Sequence, residues 1–447
     1  MQVVTRHKRE TILIGVVILT LLAVLIVNAV RANPTTSGKT LGDLLGTSNR
    51  TAPGASLGPS QTDQQIATYQ DKLRANPNDA AGQSNLGLLY LQKAREVGDP
   101  TFYNKAEAVF NAALKIEPQN ATALGGLGSL YLSRHEFQKG LDFGKQAFNA
   151  APSSYALGVI ADAQTQLGLM DDATNTVQKM VDARPDLSSY SRVSYIRELY
   201  GDDDGAIQAM QQAVDAGAEG TENRAWVTYE LGLLYFNKGD FDTAEKTYNE
   251  ALQFYPNYVY AQAGLAYIKA AKGDLNGAIT ILKDVTQRFP LPEFLISLGD
   301  IYTLAGQTQP ANQQYQLVQG IMQIYRDNGV VTDMELALFQ ADTNNNLPQA
   351  LAEARQAAAN RGIYKTQDVL AWTLYKTGDY QAAAEASKKA LALGTNDRLA
   401  FFHAGMIAAK LGQKDDAKSY LQKALVNPGF SFLYANEARQ TLASLGN

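Results

Sequence analysis

The sequence predicts an all-α solenoid of about ten helix pairs. Three observations predict it. A helix–turn–helix unit of about 34 residues recurs along most of the chain. There is no Cys, and Ala, Leu and Tyr are abundant, so helix packing rather than a disulfide framework must hold the fold. A chain of 447 residues strains a single globular core, whereas stacked repeats grow by nearest-neighbour contact.

The unit is clearest from Ala225 to Pro256. Leu231, Leu234 and Tyr235 fall at i, i+3 and i+4, the apolar stripe of a first helix. Asn237 to Asp240 break it, with Gly239 free to take positive φ and Asp240 able to cap the next helix. The second helix buries Phe241, Ala244, Tyr248, Ala251 and Leu252, and Pro256 ends it. Gly232 and Ala244 are small where the two helices must approach. The second-helix alanine recurs at Ala106, Ala173, Ala206, Ala244, Ala278, Ala311, Ala350, Ala383 and Ala417, with Gly140 in the same place. The spacings are 34, 33, 33, 38, 34, 33, 39, 33 and 34. Leu-Gly pairs at Leu86-Gly87, Leu127-Gly128, Leu231-Gly232 and Leu298-Gly299 are each followed three residues on by Tyr90, Tyr131, Tyr235 or Tyr302. Pro118, Pro152, Pro185, Pro256 and Pro290 stand twelve after the small residue. Ala161, Ser194 and Leu338 replace the first-helix glycine, and those units are assigned by phase.

These features resemble the tetratricopeptide repeat family over roughly residues 80–428. The resemblance implies a right-handed superhelix whose first helices line a concave groove for extended or helical peptide segments.

The other elements follow in order. Residues 1–10 are basic, and residues 11–30 hold no charge. Twenty helical residues reach about 30 Å, the thickness of a bilayer's hydrocarbon core. That length favours an uncleaved anchor over a signal peptide, although small-residue cleavage character at Val27-Asn28-Ala29 and Val30-Arg31-Ala32 keeps a secreted, soluble form open. Arg6, Lys8 and Arg9 before the span, against Arg31 and Lys39 after it, place the N-terminus in the cytoplasm and the repeats outside. Residues 31–61 are rich in Gly, Ser, Thr and Pro and read as a flexible tether. The solenoid occupies 62–447, opening with a capping helix over 62–77. About seven extra residues between Tyr90 and Ala106 either lengthen two helices or form a loop. The spacings of 38 and 39 mark two irregular joints, at 216–223 and 320–332, as candidate bends. The stretch FSFLYANEARQTLASL fits a C-terminal cap.

No constellation for catalysis, cofactor or metal stands out, so the reading is of a non-enzyme. Without Cys there is no thiolate nucleophile or thiolate metal site. His135-Glu136 begins a zinc-protease pattern that Lys139 breaks, and His403 lies on a first helix. Asp342, Asn344, Asn346 and Glu353 have calcium-loop spacing, but Leu347 stands where the sharp turn needs glycine. Asp171-Asp172, Asp202 to Asp204 and Asp415-Asp416 open second helices, where the helix dipole favours negative charge. Ser37-Gly38-Lys39-Thr40 ends like a phosphate loop without its first glycine. Arg6, Lys8, Arg9 and Arg31 against Glu10 give the first 31 residues +3, so the remainder carries −8 of the total −5, a sign that repels nucleic acid.

What remains is a surface that binds other proteins. The inward stripe falls six and three residues before, and one and four after, each glycine position. It carries Tyr195, Trp226, Tyr229, Phe236, Tyr260 and Tyr267 in the central units, and Phe339, Trp372, Tyr375 and Phe402 further on. Glu198 and Glu293, with Asp162, Asp300, Glu335, Asp342 and Asp368, lie among them. Aromatics supply large contact area at hot spots but also serve as inter-repeat core, and both readings stand at this stage. The expected function is a membrane-anchored scaffold or assembly factor that binds partner peptide segments. The alternative is an accessory or catalytic protein with a cryptic site on the array.

Overall fold

Ser60 opens the array with a capping box. Its hydroxyl accepts from the Asp63 amide while the Asp63 carboxylate accepts from the Ser60 amide, which fixes the start of α1, Gln61–Ala75. The computed structural model describes residues 60–427, 429 and 431–446, all within the unit Pro59–Asn447. The expected membrane span, 11–30, and the tether up to residue 59 lie outside the described residues. Among those described, no helix is long and apolar enough to cross a membrane.

Ten helix pairs follow α1. They are α2 (Ala80–Val97) with α3 (Thr101–Ile116), α4 (Ala121–Ser133) with α5 (Phe137–Ala150), and α6 (Ser154–Gln166) with α7 (Met170–Ala183). Next come α8 (Leu187–Leu199) with α9 (Asp203–Asp215), α10 (Glu222–Lys238) with α11 (Phe241–Phe254), and α12 (Val259–Ala271) with α13 (Leu275–Arg288). The last four are α14 (Pro292–Leu304) with α15 (Thr308–Asp327), α16 (Asp333–Asp342) with α17 (Leu347–Asn360), α18 (Tyr364–Thr377) with α19 (Tyr380–Ala390), and α20 (Arg398–Lys410) with α21 (Lys414–Ala424). The cap α22, Ala435–Ser444, closes the series, and no strand occurs among the described residues.

Local chemistry sets these boundaries. Asp202, Asp240, Asp274 and Asp379 each accept the amide three residues on and so start second helices. The acidic doublets are thereby placed at helix starts. Gly239 takes φ +86 at the α10–α11 turn.

The first-helix glycine accommodates a ring rather than a close alanine. Tyr248, fully buried on α11, wedges between Gly232 and Gly264, where an added Cβ would lie 2.4 and 2.5 Å from its ring. Phe110 sits likewise between Gly87 and Gly126. One aromatic, four residues past the alanine, thus locks its own unit to the next. Where Ala161, Ser194 and Leu338 replace the glycine, the ring is replaced by Val177, Met210 and Ala354.

First helices touch the first helices of the next unit, as in α2–α4, α4–α6, α10–α12 and α16–α18, and so form the inner row of the coil. The coil then meets itself. Five first-helix ends are each capped by a donor 191 to 227 residues downstream in the chain. The Gly98 carbonyl accepts from Tyr325 Oη at 3.4 Å, Arg134 from the Val331 amide at 3.0 Å and Gln166 from the Ile363 amide at 3.3 Å. The Gly201 carbonyl accepts from Asn396 Nδ2 at 2.8 Å and Phe236 from Asn427 Nδ2 at 2.7 Å. Carbonyls at a helix C-terminus lack intrahelical partners, so four of these donors fill a vacancy that every helix has, while Asn427 adds a second bond to the Phe236 carbonyl, which already accepts from the Gly239 amide. The turns of the first five units therefore dock on the end of α15 and the segments that follow α15, α17, α19 and α21. Gly168 and Gly362 meet backbone to backbone, and a Cβ on Gly362 would lie 2.3 Å from the Leu167 carbonyl oxygen. Ile363 and Tyr364 join the apolar cluster of Ala161, Ile196 and Leu199 across this seam. The later turn glycines Gly273, Gly306, Gly378 and Gly412 face open space.

The sequence irregularities meet here. The seven extra residues of the first unit lengthen both α2 and α3, and α15 runs 20 residues. That extra turn carries Tyr325 to Gly98 and Asn328 to Asn104, whose amide donates at 2.8 Å. The joint at 320–332, expected as a bend, supplies three of the seam's contacts, through Tyr325, Asn328 and Val331.

Candidate functional site

The inner row presents the predicted stripe, sorted by its packing. Trp226 on α10 is 39% exposed. Tyr229, one turn on, is half-buried, with its ring 5.8 Å from Tyr248 and 5.5 Å from Tyr260. Tyr260 on α12 also meets Phe294 at 5.3 Å. Tyr267 accepts a hydrogen bond from Ser297 Oγ at 3.3 Å and lies 5.8 Å from the Phe432 ring. Tyr195 on α8 is half-buried on the same row.

Four residues of the expected inward stripe, Phe236, Trp372, Phe339 and Phe402, belong to the core instead. Phe236 is buried against Phe241, because the end of α10 is covered by the seam. Trp372 is 1% exposed, sandwiched by Tyr375 and His403 at 4.9 and 4.3 Å, and donates its Nε1 hydrogen to Asp342 at 2.8 Å. Tyr375 is half-buried as its stacking partner. Phe339 and Phe402 are buried as well.

The carboxylates divide the same way. Asp162 binds Arg192 at 2.6 Å, Asp300 accepts from Tyr315 at 2.8 Å, and Asp342 accepts from Trp372 and Tyr434. Asp368 pairs with buried His403 at 3.0 Å. Asp162, Asp342 and Asp368 tie one repeat to another, while Asp300 and Tyr315 join the two helices of one repeat. Glu198 and Glu293 make no ion pair among the described residues, and they are the two acids expected to border the groove. The calcium-like spacing at Asp342 to Glu353 is a turn, with Asn344 and Asn346 both at φ +49. No group of three or more His, Asp or Glu among the described residues is arranged to hold a metal.

The stripe rule missed Glu230, which stands two residues before its glycine position. Burial pushes its carboxyl up to about 7, and neighbouring Glu198 adds to the rise, while Lys365 and a hydrogen bond from Trp226 oppose it. Burial also raises Glu198. Burial pushes Glu293 and Asp300 up to about 7. Glu293 is exposed to water yet surrounded by protein, which is the condition of a side chain inside a closed coil. Lys365, in the first turn of α18, faces Tyr195, Glu198 and Glu230 across the interior and is held above the usual lysine range. At the N-terminal end the inner row opens into a cavity of about 510 Å³, lined by Tyr69, Leu88, Gln92, Arg95, Ser129 and Tyr155.

The raised carboxyls predict a pH dependence. Their folded values near 7 lie above the ordinary 4.5 and 3.8, so the native coil binds more protons than the unfolded chain. Their contribution is fully present below about pH 4 and is lost as pH rises through 7. Melting temperature is expected to fall between pH 5 and pH 8, and Glu230→Gln with Glu293→Gln is expected to flatten that fall. An unchanged slope in the double variant would exclude these groups as its source.

The description tetratricopeptide repeat matches residues 93–155, 225–258 and 369–431. Protein CTR9 homolog of Arabidopsis thaliana is 26% identical over 253 residues, which cover 46% of this chain and 23% of that protein. TPR repeat-containing protein MJ1428 of Methanocaldococcus jannaschii is 22% identical over 381 residues, 77% of this chain and 61% of that one. The chain therefore spans less than two thirds of either curated relative. Among solved structures, a thermophilic TPR protein of Thermus thermophilus is similar at TM-score 0.38 and 21% identity, covering 43% of this chain and 99% of that one. The Cut9–Hcn1 complex is similar at TM-score 0.37 and 14% identity, covering 87% and 97%.

Proposed function

We propose, from the premise that this chain carries tetratricopeptide repeats, that it is a membrane-anchored scaffold or assembly factor whose inner row binds a segment of a partner protein. Repeats of this family typically mediate protein–protein interaction. The observation that carries the reading is Trp226, an exposed large aromatic on the inner row. It stands beside Glu198 and Glu230, whose one cationic neighbour is Lys365. A desolvated interior with unneutralised carboxyls favours a segment bearing apolar or aromatic side chains flanked by Lys or Arg. A non-catalytic role accords with the structural pairing of Asp162, Asp342 and Asp368 between repeats and of Asp300 within one.

The test is Trp226→Ala with Tyr229→Ala, assayed by circular dichroism and capture of partners from membranes. The account expects a folded variant that loses a partner, each anchor contributing about 2 kcal/mol or more. Retained capture of every partner would place the site elsewhere. Unfolding would identify these rings as core.

Membrane attachment rests on the uncharged span 11–30 and its basic flank. A reporter fused after residue 447 is expected to be active only on the extracytoplasmic side, and cytoplasmic activity would reverse the orientation. Intact mass of the mature chain distinguishes the anchored form from a cleaved, secreted one.

A further inference from the structure

The seam closes the flank of the inner row, so a partner segment without a free end has no side entrance while the seam is shut. Three features make this boundary separable. Its ladder supplies one or two hydrogen bonds per unit and an apolar patch where Ile363 and Tyr364 meet Ala161, Ile196 and Leu199, whereas the unit-to-unit joints are packed by continuous apolar clusters. At Gly168 and Gly362, and again at Gly201 and Gly394, backbone abuts backbone, and beside them Arg361 donates a hydrogen bond to Gln166 and Asn396 one to the Gly201 carbonyl. Near the second unit the seam holds a charged group of buried Arg361 with half-buried Glu335 and His135, Arg361 Nη1 lying 3.6 Å and His135 Nδ1 3.8 Å from Glu335 Oε1. There Arg134 Nε, Arg361 Nε and Glu335 Oε2 are buried without a hydrogen-bond partner among the described residues. Leaving such groups unsatisfied is costly, and parting the seam would hydrate them. The two edges are joined only through about five stacked units, so a small rotation at each joint opens the gap.

We propose that the seam is a gate: the coil parts along this row to admit a partner segment from the side and then recloses around it. The gate takes its purpose from the inner-row reading, but its opening is measurable without any partner. Hydrogen exchange of the whole protein reads it at the Val331 and Ile363 amides, the two backbone donors of the ladder. They are expected to exchange at least about tenfold faster than the Leu298 and Val318 amides inside helices. The chain has no Cys, so Asn104→Cys with Asn328→Cys introduces a single thiol pair that a short bis-maleimide can link through two thioethers. Linking is expected to slow Val331 and Ile363 while leaving Leu298 and Val318 unchanged, and to abolish partner capture. Exchange of all four amides at one common rate would overturn the gate, as would full capture by the linked protein. Loss of capture in the Trp226 and Tyr229 variant, with normal capture by the linked protein, would keep the inner-row reading and reject the gate.

Discussion

Gly362→Val is expected to part the seam while leaving the repeats helical. A Cβ at Gly362 would lie 2.3 Å from the Leu167 carbonyl oxygen and 3.0 Å from the Gly168 Cα. Both are backbone atoms, fixed by the end of α6 and its turn, so no side chain can rotate away. Gly168 itself sits at φ +73, a conformation that glycine alone adopts without cost. The expected penalty is at the upper end of the roughly 1–3 kcal/mol of overpacking, and it falls on the closed form only. Helical circular dichroism should persist, the Ile363 amide should lose its protection and the coil should expand in solution scattering. An unexpanded variant with a protected Ile363 would mean that this contact does not hold the seam.

Tyr248→Ala is expected to cost about 3–5 kcal/mol, because a fully buried ring that fills the space of two glycines leaves a cavity the backbone cannot close. The loss should spread to both units that the ring joins, α10–α11 and α12–α13. Tyr248→Phe is the informative control. The Tyr248 hydroxyl is buried without a partner among the described residues, so its removal should leave stability unchanged or raise it. Thermal melting checks both. A loss in Tyr248→Phe comparable to that in Tyr248→Ala would show that the hydroxyl, not the ring, carries the contact.

The repeats were legible in the sequence because each is a local object. Ala244, Gly239, Asp240 and Pro256 state a helix pair within one window, and the described residues form ten pairs with two caps. The ring lock was half legible. Glycine and alanine marked a close approach, but Tyr248 as its occupant required the neighbouring Gly264 to be seen beside it. The seam was not legible. Its donors stand 191 to 227 residues from their acceptors, and nothing in the Asn396 or Asn427 neighbourhood names a partner carbonyl on another lap of the coil. The one available signal was length: the extra residues after Tyr90 and those after Gly320 are irregular for a shared reason, since they meet as Gly98–Tyr325 and Asn104–Asn328. Within the candidate site, helical spacing placed Trp226, Tyr229, Glu198 and Glu293 on the inner row. It could not tell them from Phe236 and Trp372, whose burial depends on the seam and on the packing of the last units. Glu230 was missed because it stands outside the stripe offsets, at a place that faces the interior once α8 and α18 converge.

The account stands or falls on the coil touching itself. In the Cys-free chain, Asn104→Cys with Asn328→Cys at one end of the seam, and Asp203→Cys with Arg398→Cys further along, test that contact in dilute solution by short thiol cross-linking and mass spectrometry. Asn104 and Asn328 are hydrogen-bonded at 2.8 Å, and Asp203 lies 3.8 Å from Arg398. The account predicts intramolecular links at both pairs in the monomer, lost together when Gly362→Val is added. Absence of both links in the unsubstituted background, or links only between molecules, would describe an open solenoid and contradict it.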